Sequence, residues 1–177
     1  MKPYTLFAIL CMFLFIQSCQ QSRQQQPTPR DIEIEETEDE LADKVIIPFT
    51  RTNGNLVEVR GELNGVPLNM WWDTGASMTC ISMLELRKMA KENKIDSDDF
   101  IGFSLAQLAD GSVSMNARFN VRSIVLPGRD GKQVEVNDIQ IAVSEEEDAP
   151  VLLGSDVISR LGKHTFDEYE GVIIFDE

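Results

Sequence analysis

One carboxylate of this sequence is well placed for chemistry, because it ends an apolar segment and opens a sharp turn. The apolar segment contains Leu68, Met70, Trp71 and Trp72. The turn reads Asp73-Thr74-Gly75-Ala76-Ser77. A strand that delivers Asp73 to the centre of a sheet presents a general base, and Gly75 lets the chain turn without an obstructing side chain. A capped turn without chemistry is the competing interpretation, since isolated Asp-Thr-Gly tripeptides are common.

Two further motifs follow in order. The first is Ala109-Asp110-Gly111, a turn between two segments of alternating apolar residues, which predicts a long hairpin. The second is an apolar strand that ends in glycine and opens a short helix near the C-terminus, Val151-Leu152-Leu153-Gly154-Ser155-Asp156-Val157-Ile158. Three ordered motifs are more specific than any one of them.

This order of motifs resembles the retropepsin-like aspartic proteases of clan AA, especially their bacterial single-lobe lipoprotein members. The resemblance covers roughly residues 45–177. It implies an all-β fold, a closed β-barrel of the acid protease lobe type with one or two short helices, in a homodimer. It also implies that the chain termini of two copies interleave in one sheet, which makes the strand at Val172 to Phe175 a candidate dimer element.

The resemblance also implies a role for each site residue. Asp73 is the catalytic residue, and the hairpin is a flap that closes over the substrate, although any surface hairpin would have the same pattern. The other implied positions are Thr74, Gly75, Ala76 and Ser77 in the active-site turn, Asp110, Gly111 and Ser112 at the substrate-binding flap tip, and Gly154 packed beneath the turn. No metal and no cofactor are implied.

The chemistry requires two such carboxylates. An amide bond resists water, and one carboxylate cannot accept a proton from water and donate one to the amide at the same moment; two that share a proton can. The chain has one Asp-Thr-Gly turn, so we predict an aspartic endopeptidase in which two identical chains contribute Asp73 to one site. An extended peptide or protein is the expected substrate. A non-catalytic peptide- or protein-binding envelope lipoprotein, or a purely structural one, remains the alternative.

The N-terminal part of the sequence predicts that the protein is exported from the cytoplasm. Residues 1–18 are typical of a lipoprotein signal peptide, with Lys2 before a short apolar segment. Cys19 follows a small residue and is the predicted lipidation site, which anchors the domain to a membrane of the bacterial cell envelope, facing the periplasm or the outside. Residues 19–43 are rich in glutamine and then in acid and predict a disordered tether, leaving residues 44–177 as the protease domain. A formal charge of -14 argues against nucleic acid as a partner.

Local signals predict the elements around the site. Asn64-Gly65 between alternating segments predicts a tight hairpin. Ser82 followed by Glu85 predicts the capped start of a helix that ends near Asn93. A second helix is predicted from about Ser155 to Leu161.

Other reactive side chains are given structural interpretations. Cys80 is predicted to be an inert thiol in a core strand, and His164 a surface histidine. Two acidic loops carry enough carboxylates for a calcium site, but neither has the spacing of a calcium loop, and solvated acidic segments are the preferred interpretation. These loops are Asp96, Ser97, Asp98 and Asp99, and Glu145, Glu146, Glu147 and Asp148.

Overall fold

The computed structural model describes residues 43–107 and 110–176. The predicted signal peptide, Cys19 and almost all of the predicted tether lie outside the described residues, as do Leu108 and Ala109 in the hairpin. The strands are β1 (Lys44–Arg51), β2 (Val57–Leu63), β3 (Val66–Trp72), β4 (Cys80–Ile81), β5 (Phe100–Gln107), β6 (Val113–Pro127), β7 (Gln133–Val143), β8 (Leu152–Leu153), β9 (His164–Asp167) and β10 (Val172–Asp176). The α-helices are α1 (Met83–Lys91) and α2 (Ser155–Ile158).

Six of the strands form a closed ring. Their order is β6, β7, β4, β8, β3 and β2, and an antiparallel pairing of β2 with β6 completes the circle. The mostly-strand fold predicted from the sequence is therefore confirmed, and the ring is compatible with the predicted closed barrel. The interior is filled by aliphatic side chains such as Leu63, Met70, Ile124, Ile141 and Leu153, none of which is exposed.

Local sequence signals produce the connections of this ring. Asn64 and Gly65 have φ angles of 50° and 78°, as the tight β2–β3 hairpin requires. The Ser82 hydroxyl accepts hydrogen bonds from the Leu84 and Glu85 N–H groups and caps α1 as predicted. Helix α2 ends at Ile158, earlier than predicted, because the following bonds to Leu161 are of the shorter i to i+3 type.

The chain termini form a separate three-stranded layer. Strand β10 pairs antiparallel with β1 on one side and with β9 on the other. The predicted terminal strand is therefore present, with both of its edges paired within one chain. Its part in a dimer stays a prediction. No helix of the described residues has the length and hydropathy needed to cross a membrane.

Candidate active site

Asp73 is fixed by the strands on both sides of β3. Strand β3 runs antiparallel to β2 and parallel to β8, with Trp72 opposite Leu153. The Asp73 N–H donates a hydrogen bond to the Leu153 carbonyl at 3.0 Å, so β8 holds the residue at the point where β3 ends. The carboxylate is thus placed by core strands rather than by a free loop, which gives a precise position.

The turn after Asp73 folds back onto the carboxylate. Its Oδ1 atom accepts hydrogen bonds from the Gly75 N–H at 2.8 Å and from the Ala76 N–H at 3.2 Å. A β-carbon on Gly75 would lie 3.1 Å from the same Oδ1 atom, so a larger residue would crowd it. The two donors orient the carboxylate and leave its other oxygen for a water molecule or a second carboxyl group. Thr74 and Ser77 are exposed beside it.

The glycine predicted beneath the turn lies in close contact with it. A β-carbon on Gly154 would lie 2.4 Å from the Met78 carbonyl carbon and 2.6 Å from the Thr79 nitrogen. Real β-carbons do not approach backbone this closely, so only glycine fits between β8 and the segment that follows the turn. The Ser155 N–H and hydroxyl both donate to the Ala76 carbonyl, at 2.8 Å and 3.0 Å, and join α2 to the turn.

Thr79 and Asp156 form a buried link that sequence reasoning did not identify. The Thr79 hydroxyl donates to Asp156 Oδ1 at 3.0 Å and accepts a hydrogen bond from the Gly154 N–H at 3.0 Å. The same Asp156 oxygen accepts from the Thr79 and Val157 N–H groups, both at 2.9 Å. Asp156 belongs to the C-terminal motif and Thr79 follows the active-site turn by two positions, but only the fold shows that the two segments are bonded to each other.

A cleft of about 670 Å³ opens in front of the carboxylate. The turn after β3 and residues of β4, β7 and β8 border it, together with residues of the hairpin β5–β6. The lining residues are Asp73, Gly75, Ala76, Ser77, Met78, Cys80, Ser104, Leu105, Ala106, Gln107, Asn116, Ala142 and Leu152. The predicted catalytic residue and three residues of its turn are thus brought together with the arms of the predicted flap.

The arms of the hairpin contribute both polar and apolar residues to the cleft. Asn116 is buried and accepts a hydrogen bond from the Ser114 hydroxyl at 3.1 Å. Among the large apolar side chains of the arms, Phe103 is 63% and Val113 65% exposed, and neither lines the cleft. Leu105 is also exposed but borders the cleft. The alternation of side chains along a strand defines its two faces but does not show which face lines a cleft. The sequence therefore did not identify Asn116 as a cleft residue.

The predicted flap tip is ordered by its own contacts. Asp110 Oδ1 accepts hydrogen bonds from the Ser112 hydroxyl at 2.6 Å and from the Ser112 N–H at 2.9 Å. These two bonds lower the pKa of the Asp110 carboxyl. Gly111 adopts a φ of 85°, which the tight turn requires. Within the described residues these three positions lie outside the cleft lining, so their contact with substrate stays a prediction.

The remaining reactive side chains have structural surroundings. Cys80 is half-buried in β4 and borders the cleft, and burial raises the pKa of its thiol, as expected for an unreactive cysteine. His164 is half-buried, and its ring packs on Trp72 and Phe175 with centroid separations of 5.1 Å and 5.2 Å. In the acidic loop near α1, the Asp96 carboxylate caps a turn by accepting from the Asp98 N–H at 2.7 Å.

Comparison with known proteins agrees with this geometry. The family model for gag-polyprotein aspartyl proteases matches residues 59–160, which is more than half of the chain. No curated protein sequence matches this chain. Among solved structures, the chain is similar to the crystal structure of a retropepsin-like aspartic protease from Rickettsia conorii, with 19% identity and a TM-score of 0.49 over 74% of this chain and 87% of that chain. The match of the family model shows that the chain belongs to the retropepsin-like aspartyl protease family.

Proposed function

We propose that this chain is an aspartic endopeptidase whose active form is a homodimer with Asp73 from each copy in one site. The observation that carries the proposal is the placement of Asp73. Core strands and two backbone N–H groups hold its carboxylate at the wall of an open cleft, beneath a hairpin. An oriented carboxylate in such a cleft is the group that acid–base hydrolysis of an amide requires.

The mechanism follows from the number of carboxylates. Two adjacent Asp73 side chains share one proton because two like charges at this distance are unfavourable. The ionised carboxylate accepts a proton from a water molecule, which attacks the peptide carbonyl carbon. The protonated carboxyl group donates its proton to the substrate, and the amide nitrogen leaves as an amine. The mechanism needs one ionised and one protonated carboxyl group at the same time, so hydrolysis is expected in a window of about pH 4 to 7.

The substrate lies extended between the turns and the hairpins. An extended peptide can pair its backbone with the strand edges and place alternate side chains into pockets. In the cleft the pocket walls are mostly apolar, with Met78, Ala142 and Leu152 close to the turn. The flap residues Asp110, Gly111 and Ser112 contact the substrate from the other side when the hairpin closes.

The setting of the enzyme is also part of the proposal. Residues 1–18 direct export, Cys19 carries the lipid, and residues 19–43 act as a tether that holds the domain at a membrane of the cell envelope. Tethering raises the local concentration of the chains, so a weak dimer is sufficient for activity.

The experiment compares the full-length chain in detergent with its Asp73→Asn variant, on an unfolded protein and a peptide library. Asparagine has the same size, and its side-chain oxygen still accepts the hydrogen bonds of Gly75 and Ala76, so folding is preserved. We expect cleavage by the parent and a loss of at least about 100-fold in the variant. Asp98→Asn, an exposed residue outside the cleft lining, is the matched control and keeps full activity. Equal cleavage by the Asp73→Asn chain would overturn the proposal, and no cleavage by any folded chain would favour the binding lipoprotein.

A further inference from the structure

We infer that Arg118 is a specificity-determining residue, which binds a carboxylate of the peptide substrate on the wall of the cleft formed by the hairpin. The inference rests on the proposed function and deepens it, because it names the class of peptide that the cleft selects. This class carries a carboxylate at some distance from the cleaved bond, on an acidic side chain or at a free C-terminus.

Arg118 lies on the same face of the sheet as two residues that line the cleft. Along β6 it follows Asn116 by two positions, so the two side chains share a face, and Asn116 borders the cleft. On β7, Ala142 lies directly opposite Arg118 and also borders the cleft. Arg118 therefore continues this wall about 7 Å beyond Asn116, outside the group of residues that surrounds Asp73.

The guanidinium group of Arg118 has donors that the chain does not use. One of its terminal nitrogens donates to the side-chain oxygen of Gln140, a neutral amide. The Nε atom is buried, and it has no hydrogen-bond partner among the described residues. A guanidinium group carries five N–H donors in a fixed planar arrangement, and a buried donor without a partner is unfavourable. A carboxylate has two acceptor oxygens, so it can satisfy Nε and an adjacent nitrogen together.

The positive charge of Arg118 has no negative partner in the described part of the chain. This is not for lack of carboxylates, because the sequence has 30 acidic residues and 16 basic ones. The exposed Arg51, in contrast, forms an ion pair with Glu168. Among the described residues that line the cleft, Asp73 is the only charged one. The charge of Arg118 is therefore available to a ligand and can decide which peptides are preferred.

The hairpin leaves space for a ligand beside Arg118. Gly102 lies directly opposite it on β5, where the register between β5 and β6 shifts. A β-carbon on Gly102 would meet no atom beyond its chain neighbours within 4 Å. The position across from the guanidinium group is thus open, and a side chain or the end of an extended peptide can enter there.

Cleavage of matched peptides tests the inference with the full-length chain. The peptides are amidated and differ only in glutamate or glutamine at one position, and the glutamine peptide is also made with a free C-terminus. At about pH 6, where glutamate is ionised, we expect kcat/KM to be about 10-fold higher for one glutamate peptide than for its glutamine twin. A 10-fold advantage of the free C-terminus instead would assign the carboxylate to the end of the substrate.

Two variants connect this preference to one side chain. Arg118→Gln should reduce kcat/KM for the preferred peptide to the level of its uncharged twin, because the guanidinium group is lost. Arg122→Gln removes the same charge from an exposed position of the same strand and is the matched control, which should keep the preference. The inference is overturned if the parent prefers no carboxylate, or if the preference survives in Arg118→Gln.

Binding supplies a readout that needs no catalysis. The immobilised Asp73→Asn chain is offered a pool of the same peptides, and the captured ones are identified by mass spectrometry. We expect the carboxylate peptides to be enriched about 10-fold over their twins, and the enrichment to vanish when Arg118→Gln is added. Enrichment without cleavage by the parent would keep the role of Arg118 and refute the peptidase. Cleavage without any preference would refute the role of Arg118 and leave the peptidase intact.

Discussion

Gly154→Ala tests the packing that joins the two motifs of the site. The φ and ψ of Gly154 are -85° and 171°, which alanine adopts without strain, so the cost of the substitution is steric. The added carbon would lie 2.4 Å from the Met78 carbonyl carbon and 2.6 Å from both the Met78 oxygen and the Thr79 nitrogen. Ordinary contacts of this kind are about 3.5 to 4.0 Å, so the overlap is about 1 Å with each of the three atoms.

The three atoms belong to backbone that cannot rotate away. The Thr79 N–H is bonded to Asp156 and the Thr79 carbonyl accepts from the Ala142 N–H at 2.9 Å, so a shift of this segment breaks hydrogen bonds on both sides. Overpacking in a core costs about 1 to 3 kcal/mol, and we expect the upper end, about 3 kcal/mol of the free energy of unfolding. Because the Asp73 turn moves with this segment, peptidase activity should fall as well.

The assay is urea unfolding of the full-length chain followed by the fluorescence of its two tryptophans, Trp71 and Trp72, which lie directly before Asp73. Gly54→Ala is the matched control, because its added carbon would meet only the Thr52 hydroxyl at 3.8 Å. The free energy of unfolding of this control should lie within about 0.5 kcal/mol of that of the parent. A Gly154→Ala chain as stable as the control would refute the argument that the glycine is required by this contact.

Three further predictions concern the link, the thiol and the flap tip. Thr79→Val should lower the free energy of unfolding by about 1 to 3 kcal/mol, because Asp156 loses a buried donor. Thr79→Ser keeps the hydroxyl, so its free energy of unfolding in the same urea assay should stay close to that of the parent. Cys80 should react slowly with iodoacetamide at neutral pH, and its rate should still rise above pH 9.0, the usual thiol pKa, as followed by peptide mass spectrometry; a plateau below that pH would contradict it. Ser112→Ala should raise the pKa of Asp110 toward its ordinary value in an NMR titration, and an unchanged pKa would show that the hydroxyl contributes nothing.

Local parts of the fold could be predicted because their causes are local. The Asn64-Gly65 pair fixes a tight hairpin through two positive φ angles, and Ser82 caps α1 with its own side chain. The position of Asp73 at a strand end was also evident from the apolar residues before it. In each case the residues that determine the structure are within a few positions of one another.

The parts that could not be predicted depend on contacts between distant segments. Thr79 and Asp156 are 77 positions apart, and nothing in either segment alone indicates the bond between them. Likewise, the Asn64 amide donates to the Lys94 carbonyl at 2.7 Å and accepts from the Arg122 N–H at 2.8 Å. The sequence indicates a turn at Asn64, but its second role as a connection between three segments appears only in the fold.

The hairpin and the terminal three-stranded layer also depend on contacts that the local sequence does not indicate. Alternation predicted both arms of the hairpin, but the large apolar side chains of Phe103 and Val113 are exposed, whereas Asn116 is buried and lines the cleft. Strand β9 was not predicted, because its segment is short and His164 was interpreted as a surface residue. Its pairing with β10 gives the aromatic residues a common face against Trp72, and this tertiary packing outweighs weak local signals.

The most direct test of the central claim is a mixing experiment with the full-length chain. A fixed amount of the parent is allowed to exchange subunits with an equal amount of the Asp73→Asn variant, and peptide cleavage is followed. If each active site needs Asp73 from both copies, random pairing leaves about half of the parental activity, and an excess of the variant suppresses it further. Activity that is unaffected by the variant would show that a single Asp73 suffices and would contradict the shared carboxylate pair.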